Sequence, residues 1–245
     1  MHIAQETFRQ FTDDLRLILK DNLFEIIIHG SYVLNDFKDN LGDLDFLVLS
    51  NGTWDELVTR SLLKLHERYR SEKQLLLHQL EGTYYPKSFM KYPEDTLLGL
   101  YIGTSSMKSV TSRQTSYMDL RLINLHGLML LESNCSTYNP SESELFAEQK
   151  SDLQAFRTAI ADKSSIDFGL WISLIHWTAR TLFYRANGSI GSKTEACQWC
   201  SEQPDLMGFW KLFNFAMSLR YPYQNGRIPK PMQTACLDLL NLVGI

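Results

Sequence analysis

Two runs, Ile26-Ile27-Ile28-His29-Gly30-Ser31 and Asp43-Leu44-Asp45-Phe46-Leu47-Val48-Leu49, separated by eleven residues, decide the fold. Apolar and β-branched segments on either side of a Gly-Ser corner predict strand, tight turn, helix and second strand. The two aspartates open that second strand. Because side chains alternate along a strand, Asp43 and Asp45 point the same way, about 6–7 Å apart at Cα. Two hard oxygen donors converging at that spacing suit one magnesium ion or a pair. Asp-x-Asp and Gly-Ser are each common in plain structural settings, so the weight lies on their order and spacing.

A strand ending in Gly-Ser, followed by Gly42-Asp43-Leu44-Asp45 leading into a buried strand, resembles the signature of the nucleotidyltransferase superfamily.

Composition bounds the remainder. A chain of 245 residues holds one large or two small domains with useful cores. Its 44% hydrophobic and 21% charged residues describe an ordinary globular protein. A net charge of −4 argues against an extended basic surface, so no nucleic-acid partner is expected. No apolar run reaches about 18 residues, so no membrane span is expected. Met1-His2-Ile3-Ala4-Gln5-Glu6 lacks the basic and apolar regions of a secretory signal. Cys135, Cys197, Cys200 and Cys236 are sparse and irregular, which points to a reducing, cytoplasmic setting. Cys197-x-x-Cys200 has no second pair and falls inside a predicted helix, which favours packed thiols over a metal site.

In chain order, Phe8, Phe11, Leu15, Leu17, Ile18 and Leu19 mark an amphipathic first helix ending near Lys20-Asp21-Asn22. Leu23–Ile28 is a buried strand. Gly30 allows a sharp turn and close approach to a phosphate. Ser31, at the start of the next helix, either meets that phosphate or caps the helix. Asn35 to Leu41 is a polar loop. Trp54 to Arg70 follows a helical pattern and Leu75 to Tyr85 a strand closed by Pro86. If that strand lies beside the Asp-x-Asp strand, Glu81 completes a three-acid cluster, as third ligand or general base. Lys87 to Ser116 is a long, partly irregular connection. Tyr117 to Leu125 is helical, and His126 to Leu131 turns into a short buried strand with His126 structural. The loop composition of Ser133 to Ser141 precedes a domain boundary near residue 150.

Beyond it the pattern is a helix bundle: Glu142 to Ala161, Phe168 to Ala186, Ser192 to Ser201, Pro204 to Met217 and Gln233 to Leu242. The second helix is apolar all round and central. Its Arg180 needs an anionic partner, either a structural carboxylate or a ligand phosphate. Lys193, in the opening turn of the third helix, suits a triphosphate or is simply solvated. The fold class is therefore α+β, with a mixed-sheet domain over 1–150 and an all-α bundle over 151–245.

Arg180 to Trp199, with its arginine helix, Gly188-Ser189-Ile190 turn, Ser192-Lys193 pair and Ala196-Cys197-Gln198-Trp199, resembles the helical domain of the aminoglycoside adenylyltransferases that modify streptomycin and spectinomycin. Together with Gly30-Ser31, Asp43-x-Asp45 and Glu81-x-Thr83, that resemblance covers most of the chain. It implies that Asp43 and Asp45 hold Mg2+, that Glu81 is the catalytic base, that Gly30, Ser31 and Lys193 serve ATP, the co-substrate, and that Arg180 either helps bind the triphosphate or holds the domains together. A nucleotide-approaching tyrosine of the family corresponds to Tyr221 or Tyr223. Two departures concern the acceptor. Leu170 stands where the family has a drug-binding acid, with Asp167 the nearest carboxylate, and the family's drug-stacking tryptophan has no clear counterpart near Leu98-Gly99-Leu100-Tyr101.

The resemblance implies AMP transfer to a hydroxyl of an aminoglycoside or aminocyclitol by a monomeric enzyme that confers resistance. A nucleotidyltransferase that modifies a protein, as in toxin–antitoxin pairs, is the alternative, followed by a non-catalytic binding module.

Overall fold

The structure, a computed structural model, describes residues 2–38, 42–72, 75–95, 98–103, 106–161, 168–218 and 230–243. It divides into two compact units, Met1–Pro140 and Ser141–Ile245. The sequence reading put the division near residue 150. Helix α4 begins at Glu142 and runs to Ala161, so the whole helix belongs with the second unit.

The first unit is a mixed six-stranded sheet flanked by helices. Helix α1, His2–Leu19, presents Ala4, Phe8, Phe11, Leu15 and Leu19 at intervals of three and four, and all five are buried. Strand β1, Leu23–Ile28, has the bounds expected from its apolar run, and Ile26, Ile27 and Ile28 are fully buried. Strand β2 spans Leu44–Ser50, α2 Glu56–Ser71, β3 Leu80–Pro86, β4 Gly99–Ile102, β5 Met107–Val110, α3 Tyr117–His126 and β6 Leu128–Met129. The sheet order is β5-β4-β3-β2-β1-β6. Strands β2 and β3 are parallel, while β1 with β2, β1 with β6, β3 with β4 and β4 with β5 are antiparallel. The α2 helix supplies the crossover that a parallel pair requires.

Strand alternation sorts the side chains. Ile26, Ile28, Leu44, Phe46, Val48, Leu80, Tyr84, Leu100 and Ile102 share one core with α1 and α2. Their neighbours Asp45, Glu81, Thr83 and Tyr101 therefore lie on the opposite face. A buried His66 of α2 stacks on Phe46 at 5.6 Å and shares a 2.6 Å hydrogen bond with the Tyr84 hydroxyl. At the β6 edge, fully buried Glu25 accepts backbone N–H bonds from Leu131 and Ser133, both at 2.8 Å, and so ties the chain after β6 to β1.

Four expectations change. The helix after Ser31 is a single turn: Asn35 N–H donates to the Tyr32 carbonyl (3.2 Å) and Asp36 N–H to the Ser31 carbonyl (2.9 Å). Asn35 at φ 54° supplies the left-handed residue that closes such a turn. Strand β3 is shorter than expected, since Leu76–Gln79 forms a 3-10 turn before it. Lys87 to Ser116 is not mainly irregular, because β4 and β5 lie within it and extend the sheet. The strand after His126 is two residues long, and Leu128 is exposed rather than buried.

In the second unit, α5 covers Phe168–Asn187, α6 Lys193–Glu202, α7 Trp210–Ser218 and α8 Lys230–Leu242. As expected, α5 is central: Trp171, Leu174, Ile175, Ala179 and Phe183 pack with residues of α6, α7 and α8 in one core. Gly188 at φ 66° ends α5, its N–H donating to the Tyr184 carbonyl at 2.7 Å. Ser192 and Glu195 then form a reciprocal capping box at the start of α6.

Candidate active site

The candidate site of the first unit is built by register. In the parallel β2–β3 pair, Asp45 stands directly opposite Glu81. Both occupy the opening residues of their strands and are half-buried, and exposed Asp43 lies just ahead of β2, two residues from Asp45 on the same side.

Gly30 makes room for this arrangement. It adopts φ +67°, which favours glycine, and a Cβ built there would lie 1.8 Å from Asp45 Oδ2. No side chain fits between the turn and the carboxylate. His29 N–H donates to the Asp45 carbonyl at 3.0 Å, so the turn after β1 is held to β2 by backbone. Ser31 is half-buried, and its hydroxyl lies 3.8 Å from where a Cβ on Gly42 would sit. The Gly-Ser corner thus packs against the Gly42-Asp43 approach to β2.

Tyr101 on β4, which no reading of the sequence assigned a role, completes the cluster. Its hydroxyl donates to Glu81 Oε1 at 2.7 Å. Burial, the bond to Glu81 and the carboxylates of Glu81, Asp43 and Asp45 together push the phenol up to about 12. The available signal was the alternation of Gly99-Leu100-Tyr101-Ile102, short enough to pass for loop. His29, beside the turn, is buried, and that burial lowers its pKa.

Hard carboxylate oxygens around a space cleared by Gly30 fit magnesium. Among the described residues no group of three His, Cys, Asp or Glu side chains is gathered tightly enough to hold a metal. The fit is therefore to an ion taken by one or two carboxylates, with its other positions left to phosphate oxygens and water.

In the second unit, Arg180 lies on α5 and Lys193 is the first residue of α6. Arg180 lies one turn after His176 on α5, and burial, then the charges of Lys193 and Arg180, drive His176 down to about 4. Cys197 Sγ lies 3.5 Å from His176 Nδ1. Lys193 is exposed, and Arg180 has a buried Nε without a hydrogen-bond partner among the described residues. No ion pair joins Arg180 to a carboxylate among those residues. Two cations beside a neutral histidine form an anion-seeking patch. Cys197 and Cys200 are buried free thiols, raised to about 12 by burial. Tyr221, Tyr223 and Asp167 lie outside the described residues, and Leu170 is in the first turn of α5.

Residues 9–97, which contain Gly30, Ser31, Asp43, Asp45 and Glu81, match the nucleotidyltransferase domain. No curated protein matches the chain by sequence. Among solved structures, the chain is similar to the spectinomycin adenyltransferase AAD(9) from Enterococcus faecialis, determined with ATP and spectinomycin. The two share 13% identity over 98% of this chain and 99% of that one, with a TM-score of 0.69. Residues 9–97 thus resemble a nucleotidyltransferase domain, and the chain as a whole carries the α+β fold of that adenyltransferase.

Proposed function

We propose that the chain transfers AMP from ATP to a hydroxyl of an aminoglycoside or aminocyclitol such as spectinomycin or streptomycin, and so confers resistance. The observation that carries the reading is the Asp43, Asp45 and Glu81 cluster beside Gly30, on a nucleotidyltransferase domain. The similar structure with ATP and spectinomycin supports the choice of substrates.

Asp43 and Asp45 would hold Mg2+, which would supply positive charge against that of the phosphates. Glu81 takes the proton from the acceptor hydroxyl, whose oxygen forms the new bond to the α-phosphorus as the bond to pyrophosphate breaks. Gly30 and Ser31 offer backbone N–H groups and a hydroxyl to phosphate oxygens. Arg180 and Lys193 offset the charge of the triphosphate and of the leaving pyrophosphate, and Tyr221 or Tyr223 is the tyrosine that approaches the nucleotide. Positioning and electrostatics supply most of the acceleration. The carboxylates also attract a cationic acceptor. The reading includes work as a monomer in the cytoplasm with no nucleic-acid partner; among the described residues no helix is long and apolar enough to cross a membrane.

The test is pyrophosphate release with ATP and magnesium against spectinomycin, streptomycin and further aminoglycosides. Turnover with at least one is expected. Absence of turnover with all of them overturns the drug reading and shifts weight to a protein acceptor.

A further inference from the structure

Resting on the reading of Glu81 as the base, we propose that Tyr101 is a positioning residue: its phenol fixes Glu81 through Oε1 and leaves Oε2 to take the acceptor's proton. The geometry starts in the sheet. In the β3–β4 pair Thr83 stands opposite Tyr101, so Glu81, two residues before Thr83, is the diagonal neighbour of Tyr101 on the same face. Diagonal pairs lie within reach of long and aromatic side chains. The bond formed is 2.7 Å, in the range of strong charge-assisted contacts.

The surroundings hold the phenol in place. A Cβ on Gly103 would come within 2.5 Å of the Tyr101 hydroxyl, so a side chain at 103 collides with it. Gly103 is itself pinned: its N–H donates to the Ser106 carbonyl at 2.8 Å, and its carbonyl accepts from Arg70 of α2. Thr83 beneath is buried, with its hydroxyl 3.2 Å from that of Thr115. A half-exposed glutamate otherwise samples several rotamers, and ordering it costs free energy at the moment of reaction. Here the fold does the ordering beforehand. The raised phenol pKa keeps Tyr101 a donor throughout the neutral range.

Tyr101→Phe keeps the ring and removes the donor. With spectinomycin and streptomycin as acceptors, kcat is expected to fall about tenfold while KM for ATP stays within about twofold. An unchanged kcat overturns the positioning role, whatever happens to Tm. An independent arm labels tyrosine at Cζ with 13C and identifies the Tyr101 signal by its loss in Tyr101→Phe. That signal is expected to move in Glu81→Gln, and an unmoved signal overturns the contact itself. A wild-type chain that releases no pyrophosphate with either drug overturns the functional reading and the catalytic role with it, while the tyrosine signal still reports on the bond.

Discussion

The two units gather opposite charges by different means. In the first, strand register sets Asp45 against Glu81 and a glycine turn clears the space beside them. In the second, Arg180 stands one turn after His176 on α5 and Lys193 comes from the start of α6, and His176 is a buried side chain held neutral. Carboxylates at strand openings are placed by the backbone ladder, whereas Lys193 depends on how α5 and α6 pack. The first arrangement is a matter of strand register, and the second joins a one-turn helix spacing to the packing of a hydrophobic core.

Removing a carboxylate is the most severe way to break the contrast. Asp45→Asn and Asp43→Asn are each expected to lower nucleotidyl transfer by about 10³-fold or more with the circular dichroism spectrum unchanged. Retained activity in both would remove the carboxylates from the chemistry.

Acid strikes both units through their buried histidines. His66 and His176 titrate near 3 and near 4 in the fold and near 6.5 when exposed. Between those values the unfolded chain binds more protons, so stability is full above about 6.5 and erodes as pH falls. By pH 5 each histidine accounts for a loss of about 2 kcal/mol. The urea midpoint should therefore be lower at pH 5 than at pH 7, and an equal midpoint would refute it.

The cationic patch predicts a milder outcome. Lys193→Ala should raise KM for ATP about tenfold, a loss of ~1.4 kcal/mol, and move His176 upward from about 4 as measured by NMR titration. A fixed His176 pKa would mean that packing alone, not the cation, sets it. Smallest is Tyr184→Phe, which removes the 2.7 Å bond from α5 to Glu142 of α4. It should lower the stability of the second unit by about 1 kcal/mol and leave KM for ATP alone, as read by thermal melts and kinetics.

What could be read beforehand follows the same division. The β1 bounds were legible because apolar runs are local signals, whereas Glu81 could be set beside Asp45 only on the condition that β3 pairs with β2, which the parallel ladder meets. The expected helix at Ser31 shrank to one turn because Asn35 takes a left-handed conformation that no spacing rule announces. Strands β4 and β5 were missed since four-residue strands exist only through their partners, and Tyr101 went unassigned with them. Helices α4, α5, α6 and α8 were legible from periodicity, while the helix expected over Pro204 to Met217 opens as a 3-10 segment, Pro204–Phe209, before α7. Arg180 lies one turn from His176 on α5, but that Lys193 also acts on His176 depended on how α5 and α6 come together, which periodicity leaves open.

The parallel β2–β3 ladder runs unbroken from Leu44 opposite Leu80 to Ser50 opposite Pro86, and two of the three acids hang from its first rungs. The same rungs sit at the centre of the sheet. Such a molecule has no gradual way of losing its carboxylates: in a heated sample, the remaining activity is a head-count of the molecules still folded.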